Sequence, residues 1–581
     1  MASGDLVVRI AGESGEGVIS TGELVAQAAA RAGFELLTFK TYPAEIKGGH
    51  ALIQLRLSDR RLHTQGDQLD VLLAFNQEAC DRNIADLKPG GLLIYDSAAC
   101  APPESGERLQ YAVPLTEIAR TQLRFELGKN MVAVGVVAAL FDLSREHLVR
   151  LLQEKFGSKG EDVVAKNLAA LDAGIGYVRE RMGGRIGFSV KPGDGRGEVV
   201  VVSGNQALAM GAMAAGCRNY FGYPITPATD IMEFLAANLP RVGGSVVQAE
   251  DEIAAAGMVL GASYGGARAM TATSGPGLSL MVEMLGLGAM AELPAVIVDV
   301  QRAGPSTGMP TKHEQGDLNL AVSGAHGEVQ RIVLAPTSVE DCFYQAVNAF
   351  NLAERFQMPV ILLSDTLLAT RTERIPRPDL SRVERKEREL YRPVGNGSGG
   401  GARFLRYALT PTGVSPMSIP GQAGGEYVAT GLEHSELGRP RYDPDTHQKM
   451  TEKRFRKLET AVSEAPPAER YGDRGAEVGV VTWGSTMGAV VEAVDLAAEK
   501  GIAVEAIAPR MLWPIPDHQV GEFIRGKRVV IVPEVNYSGQ FAELLAARYR
   551  RDLVKVNSYG GVSIKAARIV EAIEEVGHNV G

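Results

Sequence analysis

The chain has 581 residues, 45% of them apolar and 22% charged, and carries a net charge of −9 at neutral pH. That is too much sequence for one hydrophobic core, so three or four ordinary globular domains are expected. The acidic balance argues against nucleic acid as a partner. The run most like a membrane span, MVAVGVVAALF at 131–141, is too short to cross a bilayer. The opening MASGDLVVRIAG has no basic stretch followed by an apolar one, so a cytoplasmic protein with no membrane partner is expected. Cys80, Cys100, Cys217 and Cys342 lie in no CxxC and near no suitably spaced histidine. They read as buried thiols; no metal site is expected on this chain, and electron transfer would need another subunit.

In chain order, LVVRIAG (6–12) is an apolar, β-branched run ending in glycine, followed by a helix pattern at 22–33. ALIQLRLSD (51–59), LDVLLAF (69–75) and GGLLIYDS (90–97) read as further strands with helices between them, which predicts a parallel sheet covered by helices. A turn-rich passage at 191–198 ends this first domain (1–190). The second block (196–385) starts at VVVVSG (199–204) and includes strands at 245–250, 267–273, 295–301 and 359–365. Residues 386–470 are rich in Gly and Pro and end in a basic helix, TEKRFRKLETAV. Tyr391, Phe404, Leu405, Tyr407 and Tyr427 would anchor this stretch as a belt on other domains, where a free spacer would lack such anchors. The last block (471–581) is again α/β, with strands VGVVTWG, AVEAIAP, RVVIVPE and LVKVNSY.

Several motifs allow both a structural and a functional reading. GESGEG (12–17) follows a strand, but its spacing is GxxGxG and Glu13 and Glu16 would repel a pyrophosphate, so a tight strand-to-helix turn is expected. GDG (193–195) with Asn219 resembles a diphosphate signature, yet it closes no buried strand and reads as an interdomain turn. In SVVQAEDEIAAAG (245–257) the acidic residues Glu250, Asp251 and Glu252 suit a helix N-terminus. The small residues after them also let another backbone approach closely. In QRAGPSTGMPTKHEQGDL (301–318) Arg302 directly follows a buried strand. It is either a surface charge or a guanidinium set to grip a carboxylate at the strands' C-terminal edge. In FGYPITPATD (221–230) Thr226 precedes Pro227, a favoured first helical residue. Thr226 is expected to cap that helix by accepting from Ala228 or Thr229, leaving its hydroxyl proton for a ligand.

Taken together, YPITPATD, QAEDEIAAAG, TATSGPGLSLMVE and QRAGPSTGMPTKHEQGDL resemble the α subunit of 2-oxoacid:ferredoxin oxidoreductases, most of all the 2-oxoglutarate type. The resemblance spans nearly the whole chain. It implies an α/β multidomain protein: a parallel-sheet γ domain fused ahead, a thiamine-enzyme pyrimidine-binding domain, a connecting belt, and a transketolase C-terminal-like domain. AEIKGGHA (44–51) stands where the family often has Arg-Gly-Gly, so Lys47 departs from the pattern, and PEVNYSGQ (533–540) belongs to the last domain.

The resemblance also implies a β subunit that carries the thiamine diphosphate's diphosphate, Mg2+ and a [4Fe–4S] cluster, in an (αβ)2 complex using CoA and ferredoxin. The implied reaction is oxidative decarboxylation of a 2-oxoacid to an acyl-CoA, reversible for CO2 fixation as in a reductive tricarboxylic acid cycle. Of the three acidic residues, only Glu252 matches the register of the carboxyl that shares a proton with N1′ of the aminopyrimidine. Thr226 would donate to the substrate, Arg302 would bind its carboxylate, and Tyr223, Pro224 and Ile225 with Glu252 would contact the cofactor. Lys47 and His50, or Lys312 and His313, are the cations available for a distal carboxylate. Pyruvate or a branched 2-oxoacid as substrate, a thiamine transferase or decarboxylase without redox chemistry, and a non-catalytic scaffold for the β subunit are the alternatives.

Overall fold

The structure, a computed structural model, describes residues 4–43, 48–102, 108–181, 192–193, 197–392 and 403–578. It divides into two compact units, Met1–Val202 with Thr370–Arg377, and Ser203–Ala369 with Pro378–Gly581. Among the described residues no helix is long and apolar enough to cross a membrane.

The first unit is built on an eight-stranded sheet. Its spatial order is Leu109–Val113, Leu87–Asp96, Leu69–Ala74, Asp5–Glu13, His50–Ser58, Glu35–Thr41, Thr372–Pro376 and Val199–Ser203. The sheet is mixed, which corrects the expectation of a parallel one. Asp5–Glu13 pairs in parallel with Leu69–Ala74, but His50–Ser58 runs antiparallel to both of its neighbours. Too few residues separate Thr41 from His50 for the crossover helix that parallel pairing needs. Val199–Ser203, read from the sequence as the start of the second block, lies instead at the edge of this first sheet. Its neighbour there, Thr372–Pro376, returns from far downstream.

Two sequence features of this unit become packing devices. The GESGEG turn leads into the helix Val18–Arg31, and a Cβ on Gly17 would lie 1.9 Å from Asn130 Nδ2, so a side chain already fills the space over the loop. The apolar run at 131–141 forms most of the helix Lys129–Leu140, which packs on Glu161–Arg181 at glycine-close range. A Cβ on Gly135 would come within 2.1 Å of the Leu171 carbonyl oxygen, and one on Gly174 within 2.1 Å of that of Val132. Lys47, and Asp194 and Gly195 of the GDG triplet, lie outside the described residues.

The second unit holds two sheets. The larger runs Met511–Trp513, Ile332–Leu334, Pro359–Asp365, Ala295–Gln301, Ala269–Thr273, Asn219–Gly222, Ser245–Gln248, and all pairings but the first are parallel. The smaller runs Glu469–Gly472, Val504–Ala508, Val478–Val481, Val529–Glu534, Val554–Asn557, with only the first strand antiparallel. In the connecting stretch, Tyr391 packs tilted on Phe404 (centroids 4.4 Å apart) and Tyr407 meets Tyr427 edge to face (6.0 Å), while Leu405 stays exposed. Arg388 forms a buried two-point ion pair with Glu354 (2.6 and 2.7 Å). The basic helix Pro444–Val462 turns part of its charge inward, burying Lys453, Arg454 and Lys457.

Candidate active site

The C-terminal ends of the parallel strands in the larger sheet gather the residues singled out in the sequence, as open α/β sheets do with their ligands. The three acidic residues after Ser245–Gln248 have three different environments. Glu250 faces solvent. Asp251 caps the helix Glu252–Tyr264, accepting from Ala254 N at 2.7 Å. Glu252, the first helical residue, is buried with 6% exposure.

The Glu252 side chain lies against the first turn of the helix Gly275–Met290. A Cβ on Gly277 would be 2.6 Å from Glu252 Oε1 and 2.0 Å from Thr273 Oγ1, so only glycine leaves room for the carboxylate there. Glu252 has no hydrogen-bond partner among the described residues. The hydroxyls of Thr271 and Ser274, in the same strand-to-helix passage, are also buried without one. Unlike those hydroxyls, the Glu252 oxygens are not sealed off, so a largely buried glutamate in a glycine cradle keeps an open, unbonded carboxylate that fits an aminopyrimidine nitrogen.

Arg302 and Thr226 meet directly. Arg302 is 8% exposed; its Nη1 donates to the Thr226 carbonyl oxygen at 2.8 Å, and its Nε is buried without a partner. Burial lowers the guanidinium's pKa, and the nearby Asp317 offsets part of that. Thr226 is not a helix cap. The helix Thr229–Asn238 starts later than expected, and the Ile225 carbonyl closes its entry by accepting from Ala228 N (2.8 Å) and Thr229 N (3.1 Å). A backbone oxygen thus satisfies the donors that the threonine was expected to take. The Thr226–Pro227 peptide is cis, and Asn205 Nδ2 donates to the Pro227 carbonyl at 2.8 Å. Tyr223 is 42% exposed, and Pro224 and Ile225 are half-buried at this rim.

The sequence reading missed Asp299, Glu314 and Asp317. Asp299 sits in the strand Ala295–Gln301 opposite Thr273, fully buried, and neither carboxylate oxygen has a partner. Burial, reinforced by the charge of Asp317, raises its pKa well above the carboxylate range. Burial also raises Asp317, to about 6, against the pull of Arg302 and with a push from Glu314. The available signal was a single acid inside an otherwise apolar strand, AVIVDVQ. Of the cations considered for a distal carboxylate, His313 is 3% exposed with Nδ1 3.5 Å from Asp365 Oδ1, which removes it as an open grip. His50 Nε2 lies 3.2 Å from Asn83 Nδ2. All four cysteines are buried and unbridged.

The chain is similar to known proteins over nearly its whole length. Residues 210–453 match the family model described as pyruvate flavodoxin/ferredoxin oxidoreductase, thiamine diphosphate-binding. Residues 7–177 match pyruvate ferredoxin/flavodoxin oxidoreductase, and 476–572 match pyruvate:ferredoxin oxidoreductase core domain II. The chain is 36% identical to the 2-oxoglutarate oxidoreductase subunit KorA of Mycobacterium tuberculosis, over 97% of this chain and 90% of that protein. It is 32% identical to the α subunit of 2-oxoacid:ferredoxin oxidoreductase 2 of Aeropyrum pernix, over 99% and 98%. The solved 2-oxoglutarate:ferredoxin oxidoreductase of Magnetococcus marinus, with 2-oxoglutarate, coenzyme A and succinyl-CoA bound, superposes with a TM-score of 0.93. It is 43% identical and covers 99% of each chain.

The fold and these matches define an oxidoreductase subunit with a thiamine diphosphate-binding domain. The chain belongs to the α subunits of the 2-oxoacid:ferredoxin oxidoreductases, with a γ-like domain at its N-terminal end.

Proposed function

We propose that this chain, with a β subunit, converts 2-oxoglutarate, CoA and oxidised ferredoxin to succinyl-CoA, CO2 and reduced ferredoxin, a reaction that reverses to fix CO2. In this reading the β subunit brings the diphosphate site, Mg2+ and a [4Fe–4S] cluster, and two αβ pairs assemble as (αβ)2. The carrying observation is Glu252, a largely buried glutamate with no hydrogen bond among the described residues, seated at the Gly277 cradle on the helix turn that also receives Asp317. The choice of 2-oxoglutarate draws support from the Mycobacterium tuberculosis relative and from the ligands in the Magnetococcus marinus complex.

Thiamine diphosphate, when bound, supplies the carbon nucleophile and the electron sink for decarboxylation. Glu252 holds a proton at the aminopyrimidine N1′ and can give or take it, which is general acid–base work from a fixed position. Tyr223, Pro224 and Ile225 form the stiff rim that keeps the ring against Glu252. Arg302 grips the carboxylate next to the oxo group, and its desolvated guanidinium makes that charge-assisted contact strong. The Thr226 hydroxyl, free of capping, donates to the substrate.

The test is the purified αβ complex assayed with 2-oxoglutarate, pyruvate and branched 2-oxoacids, with CoA and a dye acceptor. Turnover should favour 2-oxoglutarate, and preference for another 2-oxoacid would overturn the substrate assignment. In the same assay Arg302→Ala should raise KM by the equivalent of about 2–4 kcal/mol, the loss for a desolvated charged hydrogen bond. An unchanged KM removes Arg302 from the site.

A further inference from the structure

Three cations crowd one carboxylate in the interior of the second unit. Lys453 and Lys457, from the helix Pro444–Val462, pair with Glu292 at 2.7 and 2.9 Å. Arg406, from the connecting stretch, is fully enclosed, and its Nη2 donates to the Glu292 backbone carbonyl at 2.7 Å. Its Nε and Nη1 are sealed from solvent and reach no acceptor. The hydroxyls of Tyr407 and Tyr427 are likewise buried without a partner. Those two rings lie against the guanidinium, with centroids 5.0 and 5.9 Å from its central carbon and 6.0 Å from each other. A ring face attracts the guanidinium's charge, but it offers no lone pair to the in-plane N–H groups.

The imbalance is one of charge as well as of hydrogen bonds. The neighbouring Arg454 is matched by Glu433 at 3.1 and 2.9 Å and adds nothing to the excess. Burial and the charge of Lys453, against the pull of Glu292, bring the Lys457 amine down to about 7. Even with that proton gone, Arg406 and Lys453 face a single carboxylate. Two buried acceptors nearby also lack a partner. One is Oε1 of Gln357, whose backbone carbonyl accepts from Lys457 Nζ at 2.9 Å. The other is Nε2 of His434, whose ring lies 4.0 Å from that of Tyr407 and whose pKa burial lowers. Both are uncharged, so a water bridging to them would complete hydrogen bonds and leave the excess charge standing. Buried charge without a counter-ion is costly, and an anion answers both deficits at once.

We infer that Arg406, Tyr407 and Tyr427 form an internal site for a small monovalent inorganic anion of the halide class. The anion neutralises the cation excess around Glu292 and fastens the connecting stretch to the helix Pro444–Val462. The enclosure and the donor set decide the class. A halide carries one charge and accepts N–H and O–H groups from any direction. A phosphate brings four oxygens, more than these few donors can serve.

Crystals of the αβ complex grown with bromide in place of chloride read the site directly. The anomalous map should place bromide within hydrogen-bond distance of Arg406 Nε or Nη1. No peak there, in crystals that show bromide at other positions, overturns the inference and leaves water as the occupant. The second readout is thermal unfolding of the complex as chloride replaces gluconate at fixed ionic strength, which separates a specific site from salt screening. The wild-type Tm should rise saturably by a few degrees. Tyr407→Phe keeps the ring and loses the hydroxyl, and should move half-saturation to severalfold higher chloride. Arg406→Gln should abolish the rise. A merely structural role would lower Tm in both variants and leave the chloride dependence as in wild type, which overturns the anion site. So does a wild-type Tm indifferent to chloride, and bromide seen in such a case is an adventitious ion only.

Discussion

Two buried glutamates of the second unit stand in opposite surroundings. Glu292 is 1% exposed and held by Lys453 Nζ at 2.7 Å from both oxygens and by Lys457 Nζ at 2.9 Å. Arg406 Nη2 donates to its backbone carbonyl at 2.7 Å. Burial works against its charge, but Lys453, Lys457 and Arg406 overcome it and hold the carboxyl well below its usual range. Glu252 is almost as enclosed, at 6%, and has no partner among the described residues. A buried ion stabilises a fold only when its partners come with it, and a buried ion left without them is a cost that structure alone does not explain. The Glu292 cluster ties the helix Pro444–Val462 to the end of the helix Gly275–Met290, and the start of that second helix cradles Glu252. The helix Gly275–Met290 therefore has a closed electrostatic lock just past its C-terminal end and, against its N-terminal turn, the carboxylate of Glu252 from the neighbouring helix.

Breaking the lock should have the largest effect on stability. Glu292→Gln leaves two buried lysines without their counter-ion, and denaturant unfolding should show a loss of about 3–5 kcal/mol. A loss below about 1 kcal/mol, the scale of a surface pair, would mean that water already serves the cluster. A smaller and different response is expected at the open end. Gly277→Ala pushes a Cβ onto Thr273 Oγ1 and Glu252 Oε1, which should displace the glutamate and cost about 1–3 kcal/mol of packing. Its turnover should fall more than its stability; equal losses would make Gly277 a packing residue only. The smallest effect on stability is expected at Thr226. A true cap would cost about 1 kcal/mol on removal, but Ile225 does the capping, so Thr226→Val should unfold within about 0.5 kcal/mol of wild type. Its KM for the 2-oxoacid should still rise.

The sequence and the structure part company where long-range pairing decides. The strands were legible because their apolar runs are local, and the family resemblance of QAEDEIAAAG singled out Glu252, which is buried, from Glu250, which faces solvent. In the sequence Lys453 and Lys457 are only part of a basic helix, since their partner lies 161 residues before Lys453 and no periodicity connects them. The edge strand Val199–Ser203 was placed in the second block, and its neighbour Thr372–Pro376 was not read as a strand, for the same reason: sheet membership is set by pairing across the chain. At Thr226 a side-chain cap was expected where a backbone carbonyl serves, and threonine before proline looks the same in either case. Asp299 was visible as an acid in an apolar strand, but its lack of partners is a property of the packed interior.

The central claim is that Glu252 is buried for chemistry and Glu292 for structure. The most direct test is turnover and unfolding of the αβ complex carrying Glu252→Ala. The account predicts turnover reduced by roughly 10²–10⁴-fold, the span of a lost general acid–base group, with stability within about 1 kcal/mol of wild type because no hydrogen bond or ion pair among the described residues is lost. A Glu252→Ala complex that turns over normally, or that unfolds as readily as Glu292→Gln, would contradict it.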